Sequence, residues 1–337
     1  MIRWFRICVN VVAAVIMVAA ASCSKFTYGG TDKDEASVFV CVATESQVPC
    51  HVLMSRLVNS CHYVWEVDDK PRKIKSGEYF AVAYRASDLY DMTSLQEFGA
   101  DPSVSMQDIY AVLPSDTEDY GKLAQFNPYS SFVSGADDIL EVDFRRVSVV
   151  DTAMVMTFFP ESLTQRVTFR LKVRTGAGVE IVSLRAAISG VPSKVRLMSG
   201  MVRNDVDNST HRQYVPMSKT GSGVYEGSVS VLGFFPPVSA SHTSGPGIFQ
   251  VEVKAGVDQD GRRYERMFYA GINLKSAIEQ AALMEASDDR SGFRVRVSEA
   301  LIEVPVVLEV RADSVVSGEG EGMEHWFEND ADIEVEV

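Results

Sequence analysis

The chain has 337 residues, 46% apolar and 23% charged, with 46 acidic against 32 basic side chains and a formal charge of -14. That composition excludes a disordered chain and a protein embedded in the membrane as a whole, and its acidity argues against nucleic-acid binding, which needs basic surface. The length suggests two domains, because single cores seldom grow past about 250 to 300 residues.

Residues 1–22 begin with Arg3 and Arg6, contain no acid, and continue into an apolar stretch from Ile7 to Ala21. This is the order of a signal peptide, with a basic start, an apolar middle and small residues at the cleavage site. The apolar stretch is too short to be a comfortable spanning helix. Ala20-Ala21-Ser22-Cys23 resembles a bacterial lipobox, although Ala20 stands where Leu is commoner. The resemblance implies cleavage before Cys23, diacylglycerol on its thiol and an acyl chain on its amine. Three chains, at roughly 0.8 kcal/mol per buried methylene, make such attachment effectively permanent. Cleavage would remove Arg3 and Arg6 and take the formal charge from -14 to -16, a net charge that opposes anionic lipid. Residues 23–35 are polar and Gly-containing without an apolar period, and read as a flexible tether.

Beyond the tether the dominant period is two. Short apolar-rich runs stand at Val38 to Val42, His62 to Val67 and Tyr79 to Tyr84. The segment from Asp91 to Ala136 mixes Gly, Pro, Asp and Ser with isolated hydrophobics, and is expected to form loops and short helical turns before a domain boundary near residue 150. This places an N-terminal domain at 36–150 and a C-terminal domain at 151–337. Val167, Phe169, Leu171 and Val173 then alternate with Thr168, Arg170, Lys172 and Arg174, as a half-buried strand must. Thr175-Gly176-Ala177-Gly178 supplies turn residues before Val179 to Ala187, so these two runs read as a hairpin. Further runs at Val224 to Leu232, Ile248 to Ala255, Tyr264 to Tyr269, Phe293 to Val297 and Ile333 to Val337 complete an all-β pattern of β-sandwich type. One helix is expected after Asn273, an N-cap candidate, with Leu274, Ile278, Ala281 and Ala282 on one stripe.

Three segments carry a resemblance: Ser76-Gly77-Glu78-Tyr79 leading into Val82-Ala83-Tyr84-Arg85, Phe159-Pro160-Glu161-Ser162-Leu163-Thr164 before the alternating strand, and Ala187-Ile188-Ser189-Gly190-Val191. Together they resemble the fimbrillin-like lipoproteins of Bacteroidales, in particular a branch of that group without assigned activity. The resemblance implies two tandem Greek-key, transthyretin-like β-sandwich domains, with the one short helix in the second. It also implies an outer-membrane lipoprotein, periplasmic or surface-facing, that serves as a fimbrial component or adhesion-related structural module. Its partners would be the lipid bilayer, through acylated Cys23, and other fimbrial subunits joined by strand addition. Proteins of that group's source attach glycans to Ser or Thr within Asp-Ser/Thr-apolar triplets, which makes Thr152 and Ser314 O-glycosylation candidates. The quoted residues themselves are turn formers flanking strands and perform no chemistry.

No catalytic signature emerges. If Cys23 is acylated, Cys41, Cys50 and Cys61 remain in an oxidising compartment, an odd number that allows one disulfide, with Cys50 and Cys61 the candidate pair. Cys50-His51 and Cys61-His62 could in principle supply zinc ligands, but neighbours on a strand point to opposite faces, so no metal and no cofactor is expected. The five histidines lack H-E-x-x-H spacing, and no G-x-S-x-G is present. Asp258-Gln259-Asp260-Gly261 lacks the Glu of a calcium loop and lies between strands, which makes it a hairpin turn; Gly221-Ser222-Gly223 is likewise a turn. The expected protein is therefore not an enzyme. The alternative is a surface lipoprotein that binds glycan or protein in a nutrient-handling assembly, and Tyr110, Tyr120, Phe126 and Tyr129 could form its aromatic patch unless they pack beneath a loop. At the C-terminus Ile333, Val335 and Val337 share one face of a strand, which is either an edge strand of its own domain or a donor strand for a neighbouring subunit.

Overall fold

The computed structural model describes residues 37–44, 50–57, 62–68, 70–100, 105–124, 131–137, 139–150, 153–203, 211–235, 246–287, 292–317, 323–328 and 333–334. The fold is all-β, with strands far outweighing helix. It divides into two compact units that interleave along the chain: residues 1–81 with 145–159, and residues 82–144 with 160–337. The reading by sequence placed one junction near residue 150; by compactness, residues 82–144 go with the second unit.

In the first unit, β1 (Ser37–Thr44) lies between β4 (Arg72–Lys75), antiparallel to it, and β8 (Met154–Phe158), parallel to it. Their alternation fixes the inner face, where Val40, Val42, Ile74, Met156 and Phe158 are buried. A second sheet runs β3-β2-β5-β7-β9, made of β2 (His51–Arg56), β3 (His62–Glu66), β5 (Gly77–Ala86), β7 (Leu140–Val149) and β9 (Glu161–Ser162). Strands β5 and β7 each pass from one unit into the other. Tyr63 of β3 and Tyr79 of β5 bring their rings to 6.2 Å, and the Tyr79 hydroxyl donates to the Lys75 carbonyl at 2.7 Å. Gly77, at φ 145°, holds a position where a Cβ would fall 2.7 Å from Arg56 Nε.

The second unit is a sandwich. One sheet runs β15-β16-β10-β21-β22, with β10 (Gln165–Thr175), β15 (Ser218–Gly221), β16 (Val224–Val231), β21 (Glu299–Val310) and β22 (Val315–Ser317). The other runs β14-β11-β17-β18-β23, with β11 (Val179–Val191), β14 (His211–Val215), β17 (Ile248–Gln259), β18 (Arg262–Asn273) and β23 (Met323–Glu328), while β24 (Ile333–Glu334) also pairs with β18. Val167, Phe169, Leu171 and Val173 all point inward, as their alternation requires. Phe169 stacks on Phe249 of β17 with ring centroids 5.0 Å apart, which places the two sheets face to face. Small ladders complete the unit: β6 (Tyr110–Val112) pairs with β12 (Lys194–Arg196), and β20 (Gly292–Val295) lies between β13 (Val202–Arg203) and β19 (Met284–Ala286).

Two local expectations change. Strands β10 and β11 do not form a hairpin: each belongs to a different sheet, and residues 176–178 carry the chain across the core. A period of two says which face of a strand is buried but not which strand lies beside it. The irregular segment also holds a helix, α1 (Thr93–Ala100), started by Asp91, whose Oδ1 accepts from the Thr93 N–H at 2.8 Å. Eight residues with few apolar positions are too short for a helical period to stand out. The expected helix is α2 (Lys275–Ala281), and Asn273 Oδ1 accepts from the Lys275 N–H at 2.8 Å. At the β17–β18 turn Asp260 and Gly261 both have positive φ, 52° and 76°, which is the two-residue hairpin geometry.

Candidate functional site

Strand β11 from Ala186 to Val191 and strand β17 from Ile248 to Val253 are buried on both faces, although Gln250 and Glu252 alternate with Phe249, Val251 and Val253 as if one face were wet. The outer face is covered by residues 113–124 and 131–137. Ser115 bridges Val133, and Phe132 bridges Arg212 in parallel, so the chain at 131–133 extends the sheet past β14. Arg212 N–H donates to the Ser131 carbonyl and Val133 N–H to the Arg212 carbonyl, both at 2.9 Å. This ladder covers an edge that would otherwise offer unpaired groups to another chain.

Beneath this strap lies a second, smaller core of Tyr120, Leu123, Phe132 and Ala187, with Tyr214 packed against it. Tyr120 stacks on Tyr214 at 4.8 Å and meets Phe132 at 4.5 Å. Burying each such side chain stabilises the strap by roughly 1.5 to 3 kcal/mol. Arg212 is 1% exposed; its Nη1 donates to the Leu123 carbonyl at 2.6 Å and to Gln250 Oε1 at 3.1 Å, and its guanidinium carbon lies 4.7 Å from the Phe132 ring centroid. Beside it Arg185 donates from Nε at 2.6 Å and from Nη2 at 2.5 Å to one oxygen of buried Glu252. The Tyr120 hydroxyl donates to Asp116 Oδ2 at 2.5 Å.

Burial, reinforced by Asp116, pushes the Tyr120 phenol far above its ordinary pKa. Burial, with Glu252 second, raises Tyr269 to about 12. Desolvation lowers Arg212 to about 10, which leaves it a cation at neutral pH. These phenols and this guanidinium hold their protons near neutrality, and their partners fasten a loop to a sheet. Among the described residues no three His, Cys, Asp or Glu side chains gather as a metal site.

The sequence-read positions are dispersed. Cys23, Cys61, Thr152, Val335 and Val337 lie outside the described residues. Cys50 is 2% exposed and its Sγ lies 3.5 Å from the His51 carbonyl oxygen, while the His51 side chain is exposed, so the dipeptide splits across the strand. The His62 ring nitrogen Nδ1 lies 2.9 Å from Ser55 Oγ. Ser314 sits in the turn between β21 and β22 and donates to Asp313 Oδ1 at 3.0 Å. Ile333 lies on β24 opposite Glu265 of the chain's own β18. Of the aromatic patch, Tyr120 is packed beneath the strap and Tyr110 is flanked by Lys194 and Arg196; Phe126 and Tyr129 lie outside the described residues. The strap itself was missed in the sequence. Its one signal was apolar and aromatic residues scattered through a segment without a period.

This architecture has counterparts among solved structures. A candidate adhesin from Bacteroides ovatus superposes with a TM-score of 0.50 at 11% identity, covering 84% of this chain and 98% of that one. The chain shares the fold of that candidate adhesin. Two further structures match less closely: a candidate polysaccharide-binding protein from Bacteroides thetaiotaomicron (TM-score 0.43, 12% identity, 84% of this chain and 96% of that one) and the fimbrial anchor protein Mfa2 from Porphyromonas gingivalis (TM-score 0.40, 13% identity, 89% and 99%). No protein-family model and no curated protein matches the sequence.

Proposed function

We propose that this chain is a non-catalytic outer-membrane lipoprotein, held in the bilayer by acylated Cys23 and serving as a fimbrial component or adhesion-related structural module. The observation that carries the reading is the fold shared with the candidate adhesin over 98% of that chain. The lipobox-like Ala20-Ala21-Ser22-Cys23 and the polar tether after it support the anchor. The locked state of Tyr120, Arg212 and Glu252 supports a structural role over a catalytic one, because buried polar groups with fixed partners rigidify a scaffold. Tyr120 packs beneath the strap, which removes one ring from the aromatic patch that a glycan-binding module would use. Thr152 and Ser314 are proposed as glycan acceptors and Cys50–Cys61 as the disulfide. Assembly with other subunits would proceed by strand addition, with Ile333, Val335 and Val337 on the donated strand.

The anchor is tested by expressing wild type and Cys23→Ala with labelled palmitate. Label and membrane attachment confined to wild type support it. Equal labelling of the two, or equal partition into the membrane fraction, would sink it.

A further inference from the structure

We propose that the outer face of the β4-β1-β8 sheet is a contact surface for an anionic phospholipid bilayer. The three strands contain no Asp or Glu, in a chain that has 46 of them. Register decides what they present. Val40, Val42, Ile74, Met156 and Phe158 are buried on one face, so the residues between them must face outward. Phe39 pairs directly with Lys73, and Ser37 with Lys75, while Cys41 pairs with Val155 on the other side. Phe39 is 38% exposed and Val155 51%. Lys73 is exposed, as is Lys70 just before the strand. Arg72 belongs to the opposite face and is paired with Asp68 at 2.8 Å, so it adds nothing to this surface.

Lysines beside an aromatic and an aliphatic side chain are what the headgroup region accepts: the ammonium groups meet phosphates while the apolar groups enter the acyl boundary. The acidity of the chain does not oppose this, because it is unevenly spread. Without residues 1–22 the first unit carries 9 basic and 9 acidic side chains and is neutral overall, while the second carries 21 and 37. Position favours a bilayer over another protein. Only residues 24–36 separate Cys23 from β1, a span of at most about 45 Å when fully extended. That part of the argument rests on the proposed acylation, so the test uses the unacylated chain, residues 24–337, whose binding is independent of whether Cys23 carries lipid.

The chain is sedimented with vesicles of phosphatidylcholine alone and of phosphatidylcholine with about one-third phosphatidylglycerol, and folding of every variant is checked by its thermal melt. Binding should be at least about tenfold stronger on the anionic vesicles and fall as salt is added, since each lysine near an anionic surface contributes about fivefold. Lys73→Glu with Lys75→Glu should abolish the preference, and Phe39→Ser should weaken binding on the same vesicles. Lys172→Glu, on the exposed side of β10, should bind as wild type does. Should the double variant fail to fold, Lys73→Glu alone, at an exposed position, takes its place. Equal binding to both vesicle types, or binding unchanged by Lys73→Glu, would overturn the proposal.

Discussion

Arg212, 1% exposed on β14, donates from Nη1 to the main-chain carbonyl of Leu123 at 2.6 Å, so one buried guanidinium ties the strap to the sheet it covers. Arg212→Met keeps much of the volume and removes the donor. It leaves the Leu123 carbonyl without that donor, and a hydrogen bond from a charged group contributes about 1.5 to 3 kcal/mol. Urea unfolding should show a loss of that size at an unchanged m-value. A loss below about 0.5 kcal/mol would mean that the aromatic packing alone holds the strap.

Phe169 is fully buried, stacked on Phe249 at 5.0 Å and edge-on to Phe234 at 6.5 Å. Phe169→Ala should cost about 3 to 5 kcal/mol, through lost transfer free energy and the cavity left behind. Equilibrium unfolding measures it directly. The exposed neighbour Lys172, changed to Ala, should shift stability by no more than about 0.5 kcal/mol.

These two positions mark how far the sequence could be read. The inward phase of Val167, Phe169, Leu171 and Val173 was legible because alternation over a long strand leaves one solution for which face is buried. The partner of that strand was not, since β10 pairs with β16 and β21 while the next run, β11, crosses to the other sheet. Arg212 was illegible for a related reason: its burial comes from Tyr120, Leu123 and Phe132, some 80 to 90 residues earlier, in a segment that has no period of its own. Non-local cover of this kind turns Gln250 and Glu252 from solvated positions into interior ones.

Tyr269 gives the alkaline behaviour. Its folded pKa is raised to about 12 from an ordinary value of 10.0, so the folded state favours the neutral phenol. The stability it contributes is complete below pH 10 and is lost as the pH rises from there towards 12. Arg212, lowered to about 10, acts in the opposite sense, because deprotonation relieves its burial as the pH climbs. Tyr269→Phe should therefore flatten the fall of stability above pH 10 relative to wild type, measured by urea unfolding across that range. An unchanged slope would show that ionisation of Tyr269 does not contribute.

The terminal strand makes a further prediction. Tyr264 pairs with Glu334 and Glu265 with Ile333, so β24 adds to the chain's own β18. Deleting residues 331–337 should lower the thermal midpoint by about 2 to 4 °C per kcal/mol lost. If the strand is instead donated between subunits, the truncated monomer should melt as the full chain does while losing self-association. Unchanged melting together with unchanged association would reject both.

A fimbrial or adhesion-related component must be found where cells make contact. The most direct measurement is immunogold labelling of intact cells producing wild type or Cys23→Ala, read together with attachment of the same cells to a surface. Gold on surface fibres or at their base, with both labelling and attachment lost in Cys23→Ala, is the result a lipid-anchored structural adhesin requires. Gold absent from the surface in wild type, with attachment unaffected by removal of the chain, would contradict it.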